Sequence, residues 1–173
     1  MSYEFLYYYY GRLRHMYHYY IYSGNFNASK IVDNIYIGDV YDAHNIDKLN
    51  ELNIKNVISA VMGFDEIYTT DFNHLCLSLI DNEKQNIIHY FDITYHFIDN
   101  ILSKNISSAQ KQNKILIHCI CGVSRSVTIL IAYMIKKRKY QLQEAINLIS
   151  QKRNIIKPNY SFLSQLVKYH HFL

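Results

Sequence analysis

Tryptophan is absent from this chain of 173 residues, proline occurs once, and cysteine occurs only three times. An odd number of cysteines leaves at least one thiol outside any disulfide framework, so a reducing, intracellular compartment is expected. No apolar stretch reaches the ~18 residues that a bilayer span requires, and no secretory signal is expected at the start. Runs of cations are also short. The longest, Lys136-Lys137-Arg138-Lys139, falls at the end of a predicted helix, where positive charge complements the helix C-terminus. The net charge of +4 is mildly basic, and nucleic acid is not an expected partner. No two Cys/His pairs fall at metal-ligand spacing, so no metal is expected, and no other cofactor is called for. The scarcity of Pro and Trp beside abundant Ile, Asn, Lys and Tyr reflects a biased, AT-rich coding sequence and carries no chemistry.

What is present is enough for one domain with a sizeable core, since half of the residues are hydrophobic. From residue 31 short apolar runs alternate with amphipathic stretches. Strands are predicted over Ile31 to Ile37, Asn56 to Ala60, His74 to Leu79 and Lys114 to His118. Helices are predicted over Ala43 to Leu52, Ile87 to Ser103, Ser126 to Lys137, Leu142 to Gln151 and Tyr160 to Phe172. This alternation predicts an α/β domain with a mostly parallel sheet of four to five strands and helices on both faces. Residues 103 to 113 read as a polar surface loop.

The first 27 residues differ. Nine of the 18 tyrosines lie between Tyr3 and Tyr22. Tyr3, Leu6, Tyr10, Leu13, Tyr17 and Tyr20 recur at spacings of three and four, the seam of an amphipathic helix. Such a helix can pack on its own domain, pair with a second copy, or lie on a membrane surface, for which it has few cations. The chain is thus expected to divide into a Tyr-rich arm, 1–27, and one α/β domain, 28–173.

Residues 118 to 126, His-Cys-Ile-Cys-Gly-Val-Ser-Arg-Ser, carry most of the functional information. They follow the apolar run Ile115-Leu116-Ile117 and precede the apolar helix Val127 to Ile135. A thiol at a strand end, a glycine-bearing loop and a helix N-terminus make an anion cradle with a nucleophile at its floor. The same field lowers a thiol pKa from about 8.5 into the range of roughly 3.5 to 7.5. The planar fork of Arg125 suits two phosphate oxygens. These residue types in this order point to phosphoryl transfer through a phosphocysteine. In an α/β sheet the ligand site lies beyond the carboxyl ends of the strands, where Cys119 falls.

His118-Cys119, five residues, then Arg125-Ser126 resembles the Cys-x5-Arg signature of the protein tyrosine phosphatase superfamily. Flanking segments narrow the resemblance to the small dual-specificity phosphatases. Asn34 to Asp39 with Asp42-Ala43 resembles their first strand and turn, Asp81-Asn82 with Tyr90-Phe91 their general-acid loop and following helix, and Pro158-Asn159, Phe162 and Gln165-Leu166 their C-terminal helix. The match covers residues 28 to 173. The gap between Asp81 and Cys119 is longer than the family pattern, consistent with an inserted surface loop, which costs little.

The resemblance implies roles. Cys119 is the nucleophile, Arg125 binds phosphate, and the loop of Ile120, Cys121, Gly122, Val123, Ser124 and Arg125 supplies amides to it. Asp81 is the general acid and base, with Glu83 as the rival and a solvated turn as the plain alternative. Ser126 either hydrogen-bonds the Cys119 sulfur or caps the helix. His118 is a supporting residue that holds the loop, and Asn159 is a second one. Cys76 is a core cysteine or a resolving thiol, and Arg153 a surface cation or a contact for an acidic substrate. Poxvirus dual-specificity phosphatases exchange an N-terminal helix between subunits, and the arm is similar in position. That implies a homodimer through residues 1–27, and a viral protein acting in the host cytoplasm or virion.

The expected function is a protein phosphatase acting on phosphotyrosine and phosphoserine/threonine, because nothing ahead of Cys119 resembles the loop that deepens the pocket of tyrosine-specific relatives. Phosphoprotein substrates are its expected partners. A phosphoinositide or RNA 5′-phosphatase on the same fold is the first alternative. It loses ground because no lysine sits in the loop. A non-catalytic phosphate-binding scaffold is the second, and it has no use for a nucleophile.

Overall fold

The computed structural model describes residues 26–32, 34–62, 68, 71–104 and 112–173. The predicted arm helix and most of the predicted polar loop before Lys114 lie outside the described residues. Five strands form one sheet: β1 (Ser29–Val32), β2 (Ile35–Gly38), β3 (Ile54–Ala60), β4 (Asn73–Leu77) and β5 (Lys114–His118), in the order β1-β2-β5-β3-β4. All neighbours are parallel except β1 and β2, which are antiparallel. The single strand predicted over Ile31 to Ile37 is therefore two strands of a hairpin. Asn34, at φ 66°, turns the chain between them in the left-handed region that Asn tolerates.

The helix predicted over Ala43 to Leu52 is likewise two: α1 (Val40–His44) and α2 (Ile46–Glu51). Asn45 ends the first and caps the second, its side chain accepting from the Lys48 N–H at 3.0 Å. Asp39 caps α1 and closes a capping box with Asp42. The remaining helices follow the periodicity: α3 (Phe91–Ser103) after a 3-10 turn, α4 (Arg125–Arg138), α5 (Leu142–Lys152) and α6 (Tyr160–His171).

β5 is the middle strand, and its side chains serve two cores. Ile115 and Ile117 face the larger cluster, where α3, α4, α5 and α6 pack, while Leu116 faces a smaller one against α1 and α2. Burial on both faces explains the unbroken apolar run of β5. Helix α4 is buried continuously from Arg125 to Ile135, the pattern of a helix covered on every side. Its exposed end pairs across to α3, with Lys136 to Asp92 at 2.6 Å and Lys137 to Asp99 at 2.7 Å. Because β5 runs straight into the loop before α4, the middle strand and a helix buried along most of its length fix both ends of residues 119–124.

Candidate active site

Cys119 sits at the carboxyl end of β5 with 1% of its surface exposed. Burial alone would raise its pKa. The Arg125 charge, the Ser126 hydroxyl and the N–H groups of Ser126 and Val123 outweigh burial, so the thiol pKa is lowered. The Ser126 Oγ lies 3.3 Å from the Cys119 sulfur. Helix α4 begins at Arg125, and Ser124 rather than Ser126 stands at its N-cap position without a capping side-chain bond. Of the two roles open to Ser126, the structure shows the contact with sulfur.

The carbonyls of the loop all have partners on its outer side. Cys119 O lies 3.3 Å from His118 Nδ1. Ile120 O accepts from the Val40 N–H at 3.1 Å, and Val123 O from the Lys157 N–H at 2.8 Å. Cys121 O and Gly122 O accept from Arg153, at 3.3 Å from Nη2 and 2.8 Å from Nε. Ser124 O accepts from the N–H and the hydroxyl of Thr128, each at 2.9 Å. In a trans peptide the next N–H points opposite to the carbonyl. Carbonyls held outward thus aim the N–H groups of residues 120 to 125 inward, an oxyanion cradle set before any substrate arrives. Gly122 makes the turn at φ 64°, and a Cβ there would come within 2.5 Å of the Gly38 carbonyl oxygen. Only glycine fits that crossing.

Arg125 is 6% exposed. Its Nη1 donates to the Leu79 carbonyl at 3.0 Å, and its Nε lies 3.5 Å from Asp81 Oδ2. That Nε is buried without a hydrogen-bond partner among the described residues. A buried donor without a hydrogen bond is left to be satisfied by a bound oxyanion. Asp81, its side chain 32% exposed, stands at the rim. Its Oδ1 accepts from the Ser124 hydroxyl at 3.0 Å and from Asn159 Nδ2 at 2.8 Å. Asn159 also caps α6 through the Phe162 N–H at 2.9 Å, so the helix that packs on the core positions the amide that holds Asp81. Glu83 is exposed and has no part in this cluster.

The residues expected from sequence therefore converge, with three refinements. Arg153 is 4% exposed, not a surface cation or a substrate contact; besides the two loop carbonyls it donates to Asn27 O at 3.0 Å and Ser29 Oγ at 3.2 Å. It clamps the phosphate loop to the start of β1. Cys76 packs in the smaller cluster, across the sheet from the larger one that contains Cys119, which does not suit a resolving thiol. Ser124, expected in the loop that supplies amides, also holds Asp81 through its hydroxyl. Among the described residues no group of His, Cys, Asp and Glu is arranged to hold a metal ion.

A thiolate at the floor of a ring of amides, an arginine beside it and a carboxyl at the rim, on a parallel α/β sheet, define a cysteine-dependent phosphatase of the protein tyrosine phosphatase superfamily. The chain belongs to the dual specificity phosphatase catalytic-domain family, whose model matches residues 35–172. It is 33% identical over 147 residues to dual specificity protein phosphatase 1B of Arabidopsis thaliana, covering 85% of this chain and 84% of that one. It is 31% identical over 142 residues to dual specificity protein phosphatase 9 of Homo sapiens, covering 81% of this chain and 35% of that one. Protein phosphatase Slingshot of Drosophila melanogaster is 30% identical over 141 residues, covering 82% of this chain. This chain spans only 13% of Slingshot's length, so several relatives are far longer than the domain they share with it. Among solved structures, a human tyrosine phosphatase-like serine/threonine/tyrosine-interacting protein superposes with a TM-score of 0.71 at 25% identity, covering 86% of this chain and 98% of that one.

Proposed function

We propose that this chain is a protein phosphatase that hydrolyses phosphotyrosine and phosphoserine/threonine in phosphoprotein substrates. The observation that carries the reading is the Cys119 thiol, lowered in pKa at the focus of six inward amides, with Arg125 beside it whose Nε has no hydrogen-bond partner among the described residues. The thiolate attacks phosphorus as the bond to the leaving oxygen breaks. The amides and Arg125 hold the charge spread over the three equatorial oxygens. Asp81 gives its proton to the leaving oxygen. Ser124 and Asn159 both donate to Oδ1 and hold this carboxyl at the rim. In the second half, Asp81 as carboxylate takes a proton from the attacking water. The sulfur–phosphorus bond then breaks, and Ser126 stabilises the departing thiolate.

The test is phosphate release by wild type and Cys119→Ser from phosphotyrosine peptide, phosphothreonine peptide, phosphoinositide and 5′-triphosphate RNA. Cys119-dependent release from both peptides, with little from the others, is expected. Release from lipid or RNA alone would move the substrate class, and no release from any would leave a phosphate-binding scaffold.

The same reading includes the division into arm and catalytic domain, and a homodimer through residues 1–27. The similar position of the exchanged helix in poxvirus enzymes supports the homodimer, together with a viral origin. Deleting 1–27 is expected to convert a dimer to a monomer in sedimentation; an unchanged oligomeric state would refute the dimer. A low-pKa thiol with no disulfide partner suits a reducing compartment, such as the host cytoplasm or the virion.

A further inference from the structure

Five of the six loop carbonyls are held by backbone, by Thr128 or by Arg153, whereas that of Cys119 faces the imidazole of His118. That imidazole is the inner end of a longer chain. Ser59 Oγ lies 2.7 Å from His118 Nε2 and 2.7 Å from His74 Nε2. One hydroxyl has one proton, so Ser59 donates to one ring and accepts from the other. The Cys119 carbonyl only accepts, which puts a proton on His118 Nδ1. In that tautomer Nε2 of His118 carries the lone pair and is the acceptor. In the same tautomer His74 Nε2–H donates to Ser59, Ser59 donates to His118, and His118 Nδ1–H points at the Cys119 carbonyl.

Strand register builds this chain. Ser59 pairs with His118 across β3 and β5 and with Cys76 across β3 and β4, and His74 precedes Cys76 by two on the same face. His74 is half-buried on the edge strand, its ring edge-on to Tyr68 at 4.7 Å, and Tyr68 donates to the Ala43 carbonyl at 2.9 Å. Among the described residues Tyr68 and Cys76 lie beside His74 on these elements, and His118, Arg125 and, beyond it, Asp81 lie beside the thiol.

We propose that His74 is a positioning residue for the phosphate loop, fixing the Cys119–Ile120 peptide through Ser59 and His118 and so the inward aim of the Ile120 N–H. The proposal rests on the reading of Cys119 as nucleophile. Loss of the outer donor lets Ser59 turn, releases the carbonyl, and takes one amide away from the thiolate and the transferring phosphoryl group. Networks of this kind are non-additive, since either break removes the same effect.

The experiment uses the full chain with His74→Phe, His74→Gln, Ser59→Ala and the Ser59→Ala/His74→Phe double variant. Iodoacetamide alkylation of Cys119 is followed against pH, with peptide mass spectrometry separating it from Cys76 and Cys121, and kcat and KM are measured alongside. His74→Phe keeps a ring against Tyr68 and removes the donor. It is expected to shift the alkylation midpoint upward and lower kcat several-fold with KM little changed. Gln, whose amide nitrogen can replace Nε2, is expected to restore both, and the double variant to match Ser59→Ala alone. An unmoved midpoint in His74→Phe, equal losses in Phe and Gln, or additive losses in the double variant would overturn the proposal. A melting temperature that falls without any midpoint shift would also overturn it, leaving His74 a packing residue. The midpoint reads the thiol directly. Should the chain prove not to be a phosphatase, turnover is absent while the midpoint shift remains.

Discussion

Arg153 Nε donates to the Gly122 carbonyl at 2.8 Å, joining the residue that ends α5 to the turn of the phosphate loop 31 positions earlier. The same guanidinium reaches Cys121 O, Asn27 O and Ser29 Oγ, so one buried side chain holds two loop carbonyls and the entry of β1. Arg153→Ala should cost about 2 to 4 kcal/mol of stability, from several lost hydrogen bonds near 1 kcal/mol each. Activity should fall further than the fraction folded explains. Arg153→Lys should not rescue it, because an ammonium cannot hold carbonyls at the fork's geometry. Urea melts with kcat on the folded fraction check both; a Lys variant with wild-type kcat contradicts the clamp.

Asp81→Asn should lower the rate by about 10² to 10⁴ on substrates with poor leaving groups, and much less on an activated aryl phosphate. Asn159→Ala leaves the carboxyl in place but removes one of the two bonds to Oδ1, so a smaller loss with the same leaving-group dependence is expected. A series of aryl phosphates measures the dependence. Should Glu83→Gln show it instead, the acid has been misassigned.

Ser126→Ala removes a hydroxyl at 3.3 Å from the nucleophile. A hydrogen bond to a charged group contributes about 1.5 to 3 kcal/mol, so phosphoenzyme breakdown should slow by roughly 10- to 100-fold. The thiol pKa should rise, because a group that favours the thiolate is gone. Stopped-flow assays with an activated substrate should show a burst followed by slow turnover. Slow turnover without a burst would place the role of Ser126 before the phosphoenzyme.

Asp42 is buried beside Asp39, and its pKa is raised to about 6 from an ordinary 3.8, although the N–H groups of Asp39 and Asn27 donate to its oxygens. The folded state therefore binds the extra proton between those two values. The stability this contributes is fully present below about 3.8 and is lost as pH rises through 6, about 3 kcal/mol in all. Asp42→Asn should remove that slope and leave a pH-independent cost from a mispaired N–H. Urea melts of both proteins from pH 4 to 7 test this: the gap between them should narrow as pH rises, and parallel curves would contradict it.

The elements with strong periodicity were readable from sequence: β5 and the helices from Phe91 onward stand within a few residues of their predicted ends. The misread elements share a cause. Asn34 and Asn45 each break a hydrophobic pattern with a side chain suited to a turn or a cap, and each divides one predicted element into two. Cys119 and Arg125 could be singled out because they lie six positions apart, and Asp81 because it falls in an ordered, family-like segment. Arg153, Ser59 and His74 were not, because they reach the loop through partners 15 to 126 positions away, and no pattern within a segment records such a contact.

The central claim is a covalent phosphoryl group on Cys119. The most direct measurement is acid quench of the protein within milliseconds of mixing with radiolabelled phosphopeptide, followed by proteolysis and identification of the labelled peptide. Label on the peptide containing Cys119, stronger in Ser126→Ala and absent in Cys119→Ser, is the expected result. Turnover with no label on Cys119 in either the wild type or Ser126→Ala would contradict it, because phosphate would then be leaving by direct attack of water.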